Sequence, residues 1–185
     1  MLNKFGTDAK NSILGAIQGA DDIVTNLREA ITRHVEAAVR DASTIAVSPL
    51  EAAAQVVQGA IAANHEIDSD NTTAIVRSAI ETLAKAGTDT IEAISRAVVR
   101  GAVHGAHDAG GDISKTAATA VVSSIEAAAR RGADPSAAAR QAATGALKAA
   151  TEIGGQPTRN KVAAALRDAS SVPRDALDAA LRNVK

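Results

Sequence analysis

Two histidines and an aspartate form the first group of side chains that could carry chemistry. His104 and His107 lie three residues apart, and Asp108 follows directly. On a helix these positions share one face, so two imidazoles and a carboxylate could together bind a metal ion. The position of His107 recurs in a sequence repeat described below, and only one of the other three copies also has a histidine there, His65. Because a repeated metal site would keep its ligands, we interpret these histidines as partly exposed surface residues and predict no metal and no other cofactor.

Motifs for catalysis are missing from the sequence. The chain contains no cysteine, which excludes thiol catalysis, disulfide bonds and cysteine-ligated zinc. No Glu-x-x-His pair is available for a di-iron centre. There is also no nucleophile elbow, Walker loop or dinucleotide-binding fingerprint. The sequence therefore predicts a protein that is not an enzyme.

Glycines at regular intervals indicate close packing between helices. One nine-residue pattern recurs four times, beginning at Gly15, Gly59, Gly101 and Gly145. Two copies contain Gly-x-x-x-Gly, a motif that lets two helix axes approach closely. The glycines that we expect at a packing surface or interface are Gly15, Gly19, Gly59, Gly101, Gly105 and Gly145.

An acidic residue stands seven positions after the first glycine of every copy. The four acids are Asp22, Glu66, Asp108 and Glu152. We expect each in the last turn of its helix, where a carboxylate opposes the helix dipole. Two explanations stay open: the acids keep exposed helix ends soluble, or each pairs with a base of the next repeat or the next molecule. Candidate bases for such junctions are Arg77, Lys115 and Arg159.

Helix start and stop signals divide each repeat into two helices. Ser48-Pro49 and Asp134-Pro135 are typical of helix N-termini, and Asp89 is expected to cap a third helix. Gly87 and Gly132 stand where a preceding helix needs a left-handed residue. The predicted helices span residues 8–22, 27–46, 49–66, 72–86, 90–109, 113–131, 135–153, 159–170 and 173–184.

These signals predict an all-α protein of antiparallel helix-hairpin repeats with a period of about 42–45 residues. The repeats are expected to pack as a small solenoid or multi-helix bundle around a core rich in alanine and glycine. We expect one domain over residues 1–185. It divides into a half repeat at 1–23, hairpin repeats at 24–67, 68–109 and 110–153, and a C-terminal helix pair at 154–185.

Composition and charge disfavour several classes of partner. Twenty basic and 21 acidic residues leave a net charge of −1, and only 1% of residues are aromatic, so we expect no binding to nucleic acid. The chain has no signal-peptide core and no apolar run of transmembrane length. We therefore expect a cytoplasmic protein, with export by a non-classical route left open.

Alanine content, helical periodicity and length resemble those of alanine-rich bacterial helical-repeat proteins, and more distantly those of phasins and LEA-like proteins. The resemblance extends over the whole chain but includes no diagnostic motif. The chain differs from phasins in its regular repeat and near absence of aromatic residues, and from LEA-like proteins in its short, capped helices. Granule coating and desiccation protection are what the resemblance implies.

We expect a structural, self-associating helical building block that forms a homo-oligomer or a filament, with copies of itself as partners. The alternative is a phasin-like binding module that coats an apolar lipid or polymer-granule surface. A membrane or granule surface is the less favoured partner, because the polar faces are not rich in lysine and the apolar faces lack aromatic residues.

Overall fold

The computed structural model describes residues 4–17, 22–67 and 70–184. Within these residues the regular secondary structure is helical, and no strand is present. The α-helices are α1 (Lys4–Ile17), α2 (Ile23–Ala42), α3 (Pro49–Glu66), α4 (Thr72–Ala86), α5 (Ile91–Asp108), α6 (Ile113–Arg130), α7 (Pro135–Asp168) and α8 (Arg174–Asn183). A 3₁₀ turn, Ser43–Ile45, follows α2. The prediction of an all-α protein is confirmed.

Two predicted helices are displaced by one helical turn from those observed: the helix 8–22 begins at Lys4, and the helix 27–46 runs from Ile23 to Ala42. The predicted helix 27–46 begins earlier, at Ile23, because the side chain of Asp22 accepts a hydrogen bond from the backbone N–H of Thr25 at 3.0 Å and caps the new N-terminus. The predicted break between helices 135–153 and 159–170 is present as a kink within α7. Gly154 and Gly155 interrupt that helix with non-helical backbone angles, and Gly155 has a φ of 63° that suits glycine.

Local capping explains where most helices begin. Ser48 accepts a hydrogen bond from the backbone N–H of Glu51 at 3.1 Å, and Asp134 accepts one from that of Ser136 at 2.9 Å, as the sequence predicts. For α5 the predicted cap is wrong, because the side chain of Thr90 caps the helix instead of Asp89. Each well-formed cap stabilises its helix by about 1 kcal/mol.

The helices pack in two sets. In the first set α1 contacts α3, α3 contacts α5, and α5 contacts α7, so these four helices form a row that we call the odd row. In the second set α2 contacts α4 and α4 contacts α6; we call this the even row. Consecutive helices also touch across the two rows, and α8 packs against α7.

Small side chains occupy much of the space between the rows. The largest fully buried side chains are Ile13, Leu27, Ile31, Ile61, Ile75, Ile80, Leu83, Ile94, Leu147, Leu166, Val35 and Val56. Fully buried alanines such as Ala53, Ala102 and Ala146 separate them. Burial of one methyl group contributes about 0.8 kcal/mol, against roughly 1.5–3 kcal/mol for a leucine side chain. Close helix packing and capping therefore matter more here than in a leucine-rich protein.

Polar side chains are exposed on α1 and α8, the first and last helices described. On α1, Ala9 and Ile13 are buried whereas Asp8 and Asn11 are exposed. On α8 the buried side chains are Ala176, Leu177 and Ala180, and the exposed ones are Arg174, Asp175, Asp178, Arg182 and Asn183. Each terminal helix thus turns its apolar face inward and its charged face to solvent.

Candidate functional site

Glycines make the contacts along the odd row. A Cβ atom at Gly59 would overlap the backbone carbonyl of Gly6 on α1. In the same way a Cβ at Gly101 would overlap the carbonyl of Ala54 on α3, and one at Gly145 that of Arg96 on α5. Three successive junctions therefore bring two helix backbones together at a position where only glycine fits.

Gly105 adds a second close contact between α3 and α5. A Cβ atom there would overlap the carbonyl of Gln58 and press against the side chain of Ile61. Gly101 and Gly105 both face α3, on the side of α5 that the Gly-x-x-x-Gly spacing indicates. The two glycines hold the helices together over one full turn.

The first copy of the glycine motif does not make this contact. Gly15 is exposed, and a Cβ atom there would meet nothing within 4 Å, so it does not pack against another helix of the described chain; an interface with a second copy stays a prediction. Gly19 lies outside the described residues. Sequence alignment of the repeats would place Lys10 opposite Gly59, but the structure places Gly6 there, one helical turn earlier. The contact of α1 with α3 therefore falls before Gly15.

The repeated acids form polar contacts between helices of the odd row. Glu66, at the end of α3, pairs with Lys10 on α1. Asp108, at the end of α5, accepts a hydrogen bond from the Nε2 atom of Gln58 on α3 at 2.7 Å. Each acid thus reaches back from the end of its own helix to the middle of the preceding odd helix.

Glu152 contacts two side chains of the preceding odd helix. Its Oε2 atom lies 3.3 Å from the Nη2 atom of Arg100 and 3.0 Å from the Nε2 atom of His104, both on α5. The Nη1 atom of Arg100 also contacts Glu51 of α3 at 3.1 Å. One arginine therefore joins side chains from three consecutive odd helices.

The environment of Glu152 lowers its pKa. Partial burial acts in the opposite direction and raises the pKa of the carboxyl group. The hydrogen bond with His104 and the positive charge of Arg100 outweigh this effect, so the pKa lies below the ordinary value of 4.5. Glu152 is a stable anion at neutral pH.

The expected position of Asp22 and the expected partner bases are wrong. Asp22 does not lie in the last turn of a helix but caps the start of α2, and the backbone N–H of Thr25 is the main cause of the lowered pKa of its carboxyl group. The proposed bases have other contacts. Arg77 pairs with Glu126 at 2.8 Å, Lys115 pairs with Asp70 at 2.9 Å, and Arg159 donates hydrogen bonds to the carbonyls of Leu181 and Val184.

A sequence signal for the true partners exists in the spacing. Asp108 and Glu152 contact residues that lie 48 to 52 positions away in the chain, which is somewhat more than one repeat. The predicted partners follow the acid in the chain, whereas the observed ones precede it. Whether the partner precedes or follows the acid depends only on the order of the odd helices in space.

The histidine group does not converge on a shared point. His104 contacts Glu152, Asp108 contacts Gln58, and His107 is exposed. In the part of the chain that the structure describes, no three histidine, aspartate or glutamate side chains are placed to hold a metal ion. His65 lies apart from this group, with its ring beside Gly111.

Two adjoining cavities lie on the outer face of the odd row. One has a volume of about 430 Å³ and is lined by α3, α5 and α7, and the other has a volume of about 290 Å³ and is lined by α3 and α5. Glu51 and Arg100, which form an ion pair, line both cavities, so the two cavities adjoin at this pair. We call the two cavities together the odd-row trough.

Comparisons with known proteins identify no relative. No family model, no curated protein and no solved structure matches this chain. Among the described residues, no helix is both long enough and apolar enough to cross a membrane. The geometry of the two rows and the odd-row trough are therefore the features that bear on function.

Proposed function

We propose that this chain is a structural scaffold protein that presents a rigid row of helices. The observation that carries this proposal is the contact of a glycine with a backbone carbonyl of the preceding odd helix, which recurs at Gly59, Gly101 and Gly145. Contacts between two backbones leave little freedom for the helices to slide or rotate. A polar contact near the end of each helix then fixes the register of the pair.

We further propose that the rows form a short α-solenoid. In a solenoid each structural unit packs mainly against its neighbours, and the surfaces of successive units join into one extended face. The contacts of α1 with α3, of α3 with α5 and of α5 with α7 support this arrangement. The alanine-rich interior supports it as well, because small side chains permit interaxial distances near 8 Å.

The polar ends bear on how such a scaffold would assemble. Terminal units with a polar outer face keep a solenoid soluble, whereas end-to-end stacking would bury charged groups such as Asp8 and Asp175. Self-association stays a prediction. The ends favour a homo-oligomer formed through helix faces over a filament that grows by stacking.

Coating of an apolar surface has less support. Among the described side chains the exposed large hydrophobic residues are Ile23 and Val24, at 38% and 40% exposure. They stand next to each other at the start of α2, and the rest of that helix's exposed face is polar. A protein that lies on lipid or polymer would need a much larger apolar face.

Solution scattering together with light scattering tests the proposal. We expect an elongated particle of fixed shape, with a mass equal to 18.6 kDa or a small multiple of it. The shape should not change with concentration or with ionic strength. Filaments that lengthen with concentration would contradict the closed ends, and co-flotation with neutral lipid vesicles would support surface coating instead.

A further inference from the structure

The odd-row trough has the length of a short extended peptide. Along α5 it runs from Thr90 and Glu92 at one end to His104 at the other. Twelve helical residues at 1.5 Å each correspond to about 18 Å. An extended chain advances about 3.3 Å per residue, so five or six residues would fill this length. A compact small molecule would leave one of the two cavities empty.

The floor and the walls of the trough differ in character. Ala93 and Ala97 contribute small side chains from α5 to the floor of the larger cavity, which lets another chain approach the helix closely there. Amide side chains line both walls, Gln55 on α3 and Gln141 on α7. Amides both donate and accept hydrogen bonds, which is what recognition of a peptide backbone requires.

Charges in the trough are unevenly matched. Arg100 is engaged by Glu51 and Glu152 and adds no unmatched charge. Arg96 and Lys148 border the larger cavity from α5 and α7 and have no ion-pair partner within the described part of the chain. Glu92, the remaining acid, lies at the end of the trough where α5 begins. The middle of the larger cavity therefore offers two cations to a ligand.

We propose that the odd-row trough binds an extended acidic peptide segment of about five or six residues. Its carboxylates contact Arg96 and Lys148, and its backbone contacts the amides of Gln55 and Gln141. This inference rests on the scaffold function, because only a rigid row keeps side chains from three helices at the distances that one peptide can span. The partner is a protein with an exposed, unstructured acidic segment.

Fluorescence anisotropy with two labelled probes tests the proposal on the full chain. The first probe is a six-residue peptide that alternates glutamate with alanine and has blocked termini, and the second has lysine in place of glutamate. We expect binding of the acidic probe only, weakened by salt. The double variant Arg96→Gln/Lys148→Gln should bind it about tenfold more weakly, since each exposed ion pair contributes a few-fold.

A matched control removes two exposed cations outside the trough, as Arg131→Gln/Lys161→Gln. The control should bind the acidic probe as the wild type does, which separates specific contacts from the change in net charge. Equal affinity of the trough variant and the control would overturn the proposal, as would equal binding of the two probes or no binding at millimolar concentration. Glutarate that competes at the concentration of the peptide would also overturn it, in favour of a small-anion site.

Solution scattering of the same samples keeps the two proposals apart. A failed binding experiment with an unchanged elongated particle overturns the peptide site and leaves the scaffold in place. A flexible or collapsed particle overturns the scaffold function itself. Circular dichroism of both double variants verifies that they keep the wild-type helix content, because all four substituted side chains are exposed.

Discussion

The two rows of helices solve the same packing problem in different ways. In the odd row, glycines bring one backbone against the carbonyl of the next helix. In the even row, side chains stand between the helices: the Oγ1 atom of Thr82 lies 3.4 Å from that of Thr32, and the Oγ atom of Ser123 lies 3.2 Å from the Oγ1 atom of Thr73. Both of these pairs are 50 residues apart, so the even row also repeats its contact.

The difference has a geometric consequence. Helices that meet through glycine approach more closely than helices that meet through threonine and serine. We therefore expect the array to curve with the odd row on its inner side. The odd-row trough would then lie on the concave face, which is the surface that solenoid proteins use for extended ligands.

Substitution of Gly101 should have the largest effect. Gly101→Leu places a side chain where even a Cβ atom overlaps the carbonyl of Ala54, so α3 and α5 must move apart. We expect a loss of more than about 1–3 kcal/mol of unfolding free energy, the usual cost of overpacking. Urea unfolding followed by circular dichroism measures it.

Gly15→Leu provides the control for this experiment, because Gly15 is exposed and a side chain there would meet nothing within 4 Å. It should not lower the unfolding free energy, since leucine forms helices better than glycine does. If Gly101→Leu and Gly15→Leu lowered the unfolding free energy equally, the loss would come from effects on the helix backbone or on solubility. Close approach of the helices would then not distinguish the odd row from the even row.

Gly15→Ala should stabilise the protein. Glycine inside a helix costs up to about 0.5–1 kcal/mol relative to alanine, and Gly15 lies in the last turn of α1. No neighbour within 4 Å obstructs the added methyl group. The expected gain appears as a higher urea midpoint with an unchanged slope. A loss of stability would show that Gly15 makes a contact after all, either within the chain or with a second copy.

Local features of the fold could be predicted from the sequence, whereas the register of the first junction could not. The caps Ser48 and Asp134 depend on neighbours three residues away or fewer, so sequence patterns suffice. The contact of Gly6 with Gly59 depends on how two distant helices slide past each other, and Gly6 lies outside the repeated pattern. A shift of one turn preserves the helix faces, which is why periodicity does not reveal it.

The same reasoning applies to the acids. Their recurrence indicated a function at the helix ends, and three of them do join helices there. The fourth, Asp22, caps the N-terminus of α2 instead. The partner of each acid depends on which helix stands beside it, which is a property of the row and not of the local sequence.

Ser123→Ala tests the even row and should have a small effect. The hydroxyl of Ser123 is hydrogen-bonded to Thr73 and also to the carbonyl of Thr119 in its own helix. Loss of these bonds costs roughly 0.5–1.5 kcal/mol, and the higher helix propensity of alanine returns about 0.5 kcal/mol. We expect a net loss of about 0.5 kcal/mol in urea unfolding. A loss as large as that of Gly101→Leu would remove the distinction between the two rows.

The last expected effect concerns the charge of Glu152, and pH isolates it. The folded-state pKa of this carboxyl group lies below 4.5, because its contacts with His104 and Arg100 outweigh the effect of burial. Below pH 4.5 the unfolded chain therefore binds a proton before the folded chain does. The stabilisation is complete above that pH and is lost as the pH falls through the folded-state pKa. We expect the wild type to exceed Glu152→Gln by about 0.2–1 kcal/mol at neutral pH, as is usual for a partly exposed ion pair.

This difference in unfolding free energy should shrink as the pH falls below 4.5. The variant Glu29→Gln serves as the control, because Glu29 is exposed on the even row and has no ion pair in the part of the chain that the structure describes. Its difference from the wild type should stay small and constant over the same range. A Glu152 difference that did not change with pH would mean that side-chain shape, not charge, joins α5 to α7. The glycine contact at Gly145 would then be sufficient to hold this junction of the odd row.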